Sequence, residues 1–128
     1  MKIGFCTNDM KNVDEHYGRA TKVAIYEIDE KGYSLAEIRE FAAQEDGTEH
    51  KLDTGSKAEA LNDCAILYVL QIGGPAAAHV IKNKIHPVKV QDPMPIDEIL
   101  ENLKTTLGGN PAPWLKKALY RDRAPEGI

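Results

Sequence analysis

The stretch Asn12 to Ala20, NVDEHYGRA, sets several chemistry-bearing side chains side by side. His16 lies between two carboxylates, Asp14 and Glu15, and a Tyr17-Gly18-Arg19 run that adds a ring, a small residue and a guanidinium. Four roles fit such an imidazole: a structural accident, a zinc ligand, a general base, or a handle for a larger metal cluster. Asp14 and Glu15 are close enough in sequence to orient the ring and fix which nitrogen is free. Gly18 permits a tight backbone, and Arg19 and Lys22 put positive charge beside it.

The remaining candidates are fewer. His50 stands in a polar stretch and reads as solvated, whereas His79 (mid-helix) and His86 (before Pro87) read as structural. No HxH or HxxxH spacing occurs, so a conventional zinc site would need pieces from distant parts of the chain. Cys6 and Cys64 are the only cysteines, which excludes a CxxC pair and a four-thiolate iron–sulfur site built by this chain alone. Both lie in apolar runs where buried thiols are common. A metal held here therefore needs a non-cysteine ligand or must arrive with its own sulfide, and Cys6 stays a further candidate ligand beside His16. Gly73-Gly74, at an expected helix start, is either a simple turn or an anion-binding corner of free backbone donors and helix dipole.

Enzymatic readings find little. Two-metal phosphoester chemistry needs several carboxylates at strand ends, and neither Lys2–Cys6 nor Ala65–Leu70 contains one. A Cys6–His16 nucleophile pair lacks a clear orienting third group. No GxSxG or phosphate-binding loop is present. A small metal-dependent hydrolase using His16 and Asp14 lacks the rest of its carboxylate set.

The elements that must position these residues follow from periodicity. Lys2–Cys6 reads as a strand, Lys22–Ile28 and Tyr33–Phe41 as a hairpin around Asp29-Glu30-Lys31-Gly32, and Ala42–Gly55 as a loop. Ser56-Lys57-Ala58-Glu59 is a capping box opening a helix to about Asn62. AILYVL, Ala65 to Leu70, suits a strand covered on both faces. Pro75 opens a helix through Asn83, and Pro87–Val90 is a short strand. Ile96, Ile99, Leu100, Leu103 and Leu107 mark one face of a helix opened by Pro95 and stopped by Gly108-Gly109. The end, NPAPWLKKALYRDR, reads as a proline-bounded linker and a short helix; either it docks on the body or it offers Trp114 to a partner. Leading strands followed by alternating helices and strands predict an α/β mixed five-stranded sheet flanked by helices, resembling a ribonuclease-H-like fold. The expected division is 1–109 as the ribonuclease-H-like domain and 110–128 as a C-terminal linker and short helix or tail.

Gross composition narrows the class. At 128 residues the chain is large enough for one domain with a real core. A net charge of −4 argues against broad nucleic-acid binding, which needs a basic face. No stretch approaches the apolar length of a membrane helix, and Met1-Lys2 leads straight into a strand rather than a signal peptide, so a cytoplasmic location is expected.

CTND (Cys6 to Asp9) followed by NVDEHYG resembles the D-x-H-[FY]-G loop of the dinitrogenase iron–molybdenum cofactor-binding family. Three further stretches resemble a carrier branch of it: Gln44–Leu52, Gln71–Lys82 (QIGGPAAAHVIK) and Pro111–Leu119 (PAPWLKKAL). The resemblance spans essentially the whole chain, with Tyr17 where many members have phenylalanine. It implies a non-enzymatic carrier or storage protein for an iron–sulfur precursor of the nitrogenase iron–molybdenum cofactor, of the NifB-cofactor type, or for the finished cofactor. Implied partners are the nitrogenase cofactor assembly proteins, the NifB synthase and the NifEN scaffold, and a monomer is expected when free. His16 is the implied metal ligand, with Gly18, Arg19, Gly73 and Gly74 around the cargo; Cys6 lies outside the shared motif. A different reading is a regulatory module that docks an assembly scaffold through Trp114, Leu115 and Leu119 without holding cluster. An imidazole must be unprotonated to ligate, so cargo affinity is expected to weaken in acid.

Overall fold

The computed structural model describes residues 1–41 and 56–123, with side chains through Leu119. The expected Ala42–Gly55 loop, the Gln44–Leu52 motif and His50 lie outside these residues.

The chain runs β1 (Lys2–Cys6), β2 (Asn12–Val13), β3 (Lys22–Asp29), β4 (Gly32–Glu40), a helical turn α1 at 56–60, β5 (Cys64–Val69), α2 (Gly74–Lys82), β6 (His86–Lys89), β7 (Met94–Pro95), α3 (Ile96–Gly108) and α4 (Pro113–Arg123). One sheet has five strands in the order β4-β3-β1-β5-β6, and β2 and β7 form a second, two-stranded sheet. β1 is antiparallel to β3 and parallel to β5; β3–β4 is antiparallel and β5–β6 parallel. This is the α/β mixed sheet expected from the sequence.

Period-two alternation divides the strands between two cores. Ile3, Phe5 and Ile28 point to one face, where α3 and α4 supply Ile96, Leu100, Leu115 and Leu119. Cys6, Val23, Ile25 and Leu67 point to the other, against Ala58 and Leu61 of the α1 corner and Ala76 and Val80 of α2. Each fully buried leucine or isoleucine contributes about 2 kcal/mol by leaving water, which explains why AILYVL carries no polar alternation. Gly4 lets β1 lie close to β5: a Cβ there would meet Leu67 Cδ1 at 2.9 Å and Val23 Cγ1 at 3.2 Å. Arg39 on edge strand β4 forks onto Asp63, just ahead of β5, with Nη1–Oδ1 and Nη2–Oδ2 both 2.7 Å, and it also binds Glu37. The guanidinium holds the Asp63 carboxyl down at about 2.

The expected strands and helices fall within about two residues of those observed; one expectation changes, one ribbon is new, and the tail takes the docked one of its two readings. Ser56 already stands inside its helix rather than capping it from outside. The β2–β7 ribbon is too short for periodicity to reveal. The tail helix α4 docks on the body: Leu115 is 5% and Leu119 4% exposed, while Trp114 is 44% exposed. The scaffold-docking trio is thus not one free surface, because its two leucines belong to the core.

Candidate functional site

His16 does not sit at a free loop tip. It forms a parallel bridge with Gln71, immediately beyond β5. Tyr17 N donates to Gln71 O at 2.8 Å and Leu70 N donates to Glu15 O at 3.0 Å, so the loop is sewn to the strand end that leads into Gly73-Gly74. A second anchor lies upstream. Asn12 and Val13 pair with Pro95 and Met94, and Ile96 N donates to Lys11 O at 2.9 Å, tying the loop's entry to the start of α3. The third anchor is Lys57 of α1. Its ammonium is buried and donates to Tyr17 O at 2.8 Å and Ala20 O at 2.9 Å, lying 5.2 Å from the centroids of the Tyr17 and Phe41 rings.

Local chemistry shapes the rest of the loop. Asp9 Oδ1 accepts from the amides of Lys11 and Asn12 at 2.8 Å each, and Oδ2 accepts from Asn12 Nδ2 at 3.0 Å. Asn12 and these amides together hold the Asp9 carboxyl at about 2. Met10 takes φ 65° within this turn, an uncommon left-handed conformation that the Asp9 and Thr7 side-chain bonds stabilise. The TND of CTND is therefore a turn former.

Asp14 and Glu15 have a different job from the one expected. Asp14 Oδ1 accepts from Asn8 N at 2.7 Å, while Glu15 accepts from His16 N at 2.7 Å and Asn8 Nδ2 at 3.0 Å. Both carboxylates brace the backbone rather than orient the imidazole. His16 O in turn accepts from Arg19 N at 3.1 Å and Ala20 N at 3.0 Å, closing a turn that leaves the Arg19 side chain exposed. Lys22 Nζ donates to Asn8 O at 3.3 Å.

Cys6 is the candidate the fold removes from the rim. It is fully buried in the core with Tyr17 and Cys64, and burial, opposed by Lys57, pushes its thiol up to about 12. A thiolate ligand there is disfavoured, because charge in an apolar core costs several kcal/mol. Among the described residues no three histidine, cysteine or carboxylate side chains converge to hold a metal ion.

The glycines carry a different message. An added Cβ at Gly18, Gly73 or Gly74 would meet nothing within 4 Å, and none has a left-handed φ. Gly18 answers to neither close packing nor a left-handed φ, whereas Gly73 suits its N-cap position and Gly74, helical and directly before Pro75, avoids a Cβ against the proline ring. All three leave backbone without a covering side chain. Gly73 caps α2 without a side-chain hydrogen bond, no acid occupies the first turn, and Pro75 follows at once. That helix start presents uncapped donors and the positive end of the dipole. The structure thus brings His16, Gly18 and the Gly73-Gly74 corner to one end of the sheet. Lys57 and Gln71 are the positioning residues that motif reading missed. Lys57 had one signal: with Leu61 four residues on, it occupies the apolar face of its helix.

A family model described as dinitrogenase iron-molybdenum cofactor matches residues 1–106. The chain belongs to that family. Protein NifX of Herbaspirillum seropedicae is 46% identical over 123 residues, which cover 94% of this chain and 83% of that protein. Protein NifX of Rhodobacter capsulatus is 34% identical, covering 98% and 82%, respectively. Protein NifY of Azotobacter vinelandii is 36% identical over 93% of this chain but only 48% of its own length. The crystal structure of PH0822 superimposes with a TM-score of 0.62 at 18% identity, covering 91% of this chain and 99% of that one; this likeness concerns the fold alone. The family match contains His16, Gly18, Arg19, Lys57 and the Gly73-Gly74 corner, and it stops short of α4. Among the described residues no helix is long and apolar enough to cross a membrane.

Proposed function

We propose that this chain is a non-enzymatic carrier that binds an iron–sulfur precursor of the nitrogenase iron–molybdenum cofactor and passes it between assembly proteins. The observation that supports this most is the His16–Gln71 seam, which pairs the histidine loop with the chain two residues ahead of the uncapped start of α2. A preassembled cluster brings its own sulfides, so the protein need not supply many ligands. In this reading His16 ligates one exposed iron. The amides of the Gly73-Gly74 corner and the Arg19 guanidinium stabilise the anionic cluster by hydrogen bonding and charge. One neutral ligand with weak electrostatic support suits hand-over better than a closed thiolate set. Cys6 takes no part in this reading.

The synthase NifB and the scaffold NifEN are the donor and acceptor we propose. Residues 1–109 are the cargo-binding unit and 110–128 an appended element. We assign the sheet to the ribonuclease-H-like class on its strand order and its single reversed strand, β3.

The test is anaerobic titration of the apo protein with isolated cofactor precursor, following visible absorbance and co-migration of iron, beside His16→Ala. The expected result is roughly stoichiometric binding that the variant loses. Equal binding by both proteins would remove His16 from the cargo site. Binding by neither would return the chain to a role in assembly that needs no cluster.

A further inference from the structure

The charges of this chain are unevenly spread. It carries 20 acidic residues and a net charge of −4, yet residues 71–90 contain no aspartate or glutamate, nor do residues 109–120. The fold brings these two acid-free segments together. α2 and α4 stand on either side of edge strand β6 and leave an open groove of about 570 Å³ lined by Ile81, Lys84, His86, Pro87, Trp114 and Lys117, among others. Ile81 is 61% exposed, and the half-exposed Trp114 is held in place by the His86 ring, stacked 4.3 Å from it. Single exposed apolar residues are ordinary on a surface; an isoleucine and a tryptophan facing one groove under two lysines are not.

We propose that this groove docks an acidic amphipathic helix of a partner protein. Complementarity fixes the charge: Lys84 and Lys117 flank the apolar floor, and no carboxylate is among the described residues that line it. A second copy of this chain is a poor occupant, because two-fold pairing of this face would set lysines against lysines. The edge strand argues for a helix over an added strand. Val90 N donates inward to Val69 O, so alternation along β6 turns Pro87 outward, where it has no N–H to offer. The indole is the anchor type that dominates such interfaces.

Location gives the site its use. Ala65, at the start of β5, lines the groove, whereas His16 is bridged beyond the far end of that strand. Six strand residues at roughly 3.3 Å each put the two sites about 20 Å apart. A partner docked in the groove leaves the His16 corner open. One wall, α4, also lies beyond the residues matched by the family model, so the groove is not built from that matched region alone.

The test uses the full chain without cargo, so it reads independently of cluster binding. Random 16-residue peptides displayed on phage are selected against the protein and counter-selected against an Ile81→Lys/Trp114→Ala variant. The expected clones carry several Asp or Glu flanking apolar residues at i, i+3 and i+4 spacing. As synthetic peptides they bind at least tenfold more weakly to Lys84→Glu/Lys117→Glu and blue-shift emission from Trp114, the single tryptophan. Both lysines are exposed, so circular dichroism and the thermal midpoint should confirm that the charge-reversed variant is folded. Clones that are basic or uncharged, clones indifferent to the charge reversal, no groove-dependent clones, or self-association through this face would each overturn the proposal.

Discussion

Replacing Lys57 by methionine keeps most of the side chain's length and removes its ammonium. In the native fold that ammonium makes at least two charged hydrogen bonds, to Tyr17 O at 2.8 Å and Ala20 O at 2.9 Å, while the residue is 5% exposed. Two such bonds at roughly 1.5 kcal/mol each, a net value that already includes taking the ammonium out of water, give a loss of about 3 kcal/mol. For a domain of this size that lowers the thermal midpoint by roughly 10 °C. Urea unfolding followed by far-UV circular dichroism reads the change, with an unchanged slope showing that the unfolded state is not altered. The damage should be local in origin. Amide exchange at Tyr17 and Leu70, whose N–H groups close the seam to β5, should accelerate more than exchange within β1. A loss below about 0.5 kcal/mol, or uniform acceleration, would refute the claim that Lys57 fastens the histidine loop.

Gly73→Ala and Gly74→Ala should each cost about 1 kcal/mol, since glycine outranks alanine as an N-cap and a Cβ on a helical residue before Pro75 crowds the proline ring. On the carrier reading both should also weaken precursor binding while the protein stays folded, and unchanged binding would remove the corner from the cargo site. Cys6 and Cys64, whose thiols burial raises to about 12, should resist a disulfide-exchange reagent at pH 8 in the native protein and react on unfolding; rapid native labelling would contradict the core placement. Asp63, held at about 2 against an ordinary 3.8 chiefly by Arg39, is a group with a depressed folded pKa, so its contribution is present above pH 4 and lost between about pH 4 and 2. Its side chain is 39% exposed, so solvent screening reduces that contribution to about 1 kcal/mol; Asp63→Asn should flatten the acid limb of the stability curve, and an unchanged limb would show that the fork contributes nothing.

Local periodicity found what it is suited to find. The apolar run of β5, the amphipathic face of α3 and its stop at Gly108-Gly109 were readable because burial on two faces, a helical stripe and a glycine terminus leave strong local signals. The site was only half readable. His16 and the Gly73-Gly74 corner could be singled out by residue type, but their juxtaposition depends on pairing between residues 55 positions apart, His16 with Gln71. No local pattern encodes that. Asp14 and Glu15 misled because sequence shows which carboxylates are near an imidazole and not which backbone amides need an acceptor. Lys57 escaped notice because a lysine after a serine at a helix start reads as solvent-facing, whereas here tertiary carbonyls supply its partners.

The three anchors also bear on how a weak ligand set can hold cargo at all. A free loop would have to be ordered when cargo binds, at roughly 1 to 2 kcal/mol for each residue fixed, and one imidazole could not offset that for a whole turn. Here the loop's entry is paired to β7, its middle is bridged beyond β5 and its exit is bonded to Lys57, all before any cargo arrives. On the proposed carrier reading, the interaction energy of His16 and the helix start is then available to the cluster itself. This separates two ways of losing affinity. On that same reading, His16→Ala removes a ligand and should abolish binding at any protein stability, whereas Lys57→Met restores the ordering cost and should weaken binding while leaving that ligand in place. The Lys57 variant should therefore bind more weakly with a more unfavourable binding entropy and a similar spectrum of bound cluster. A changed spectrum would mean that Lys57 does more than hold the loop still.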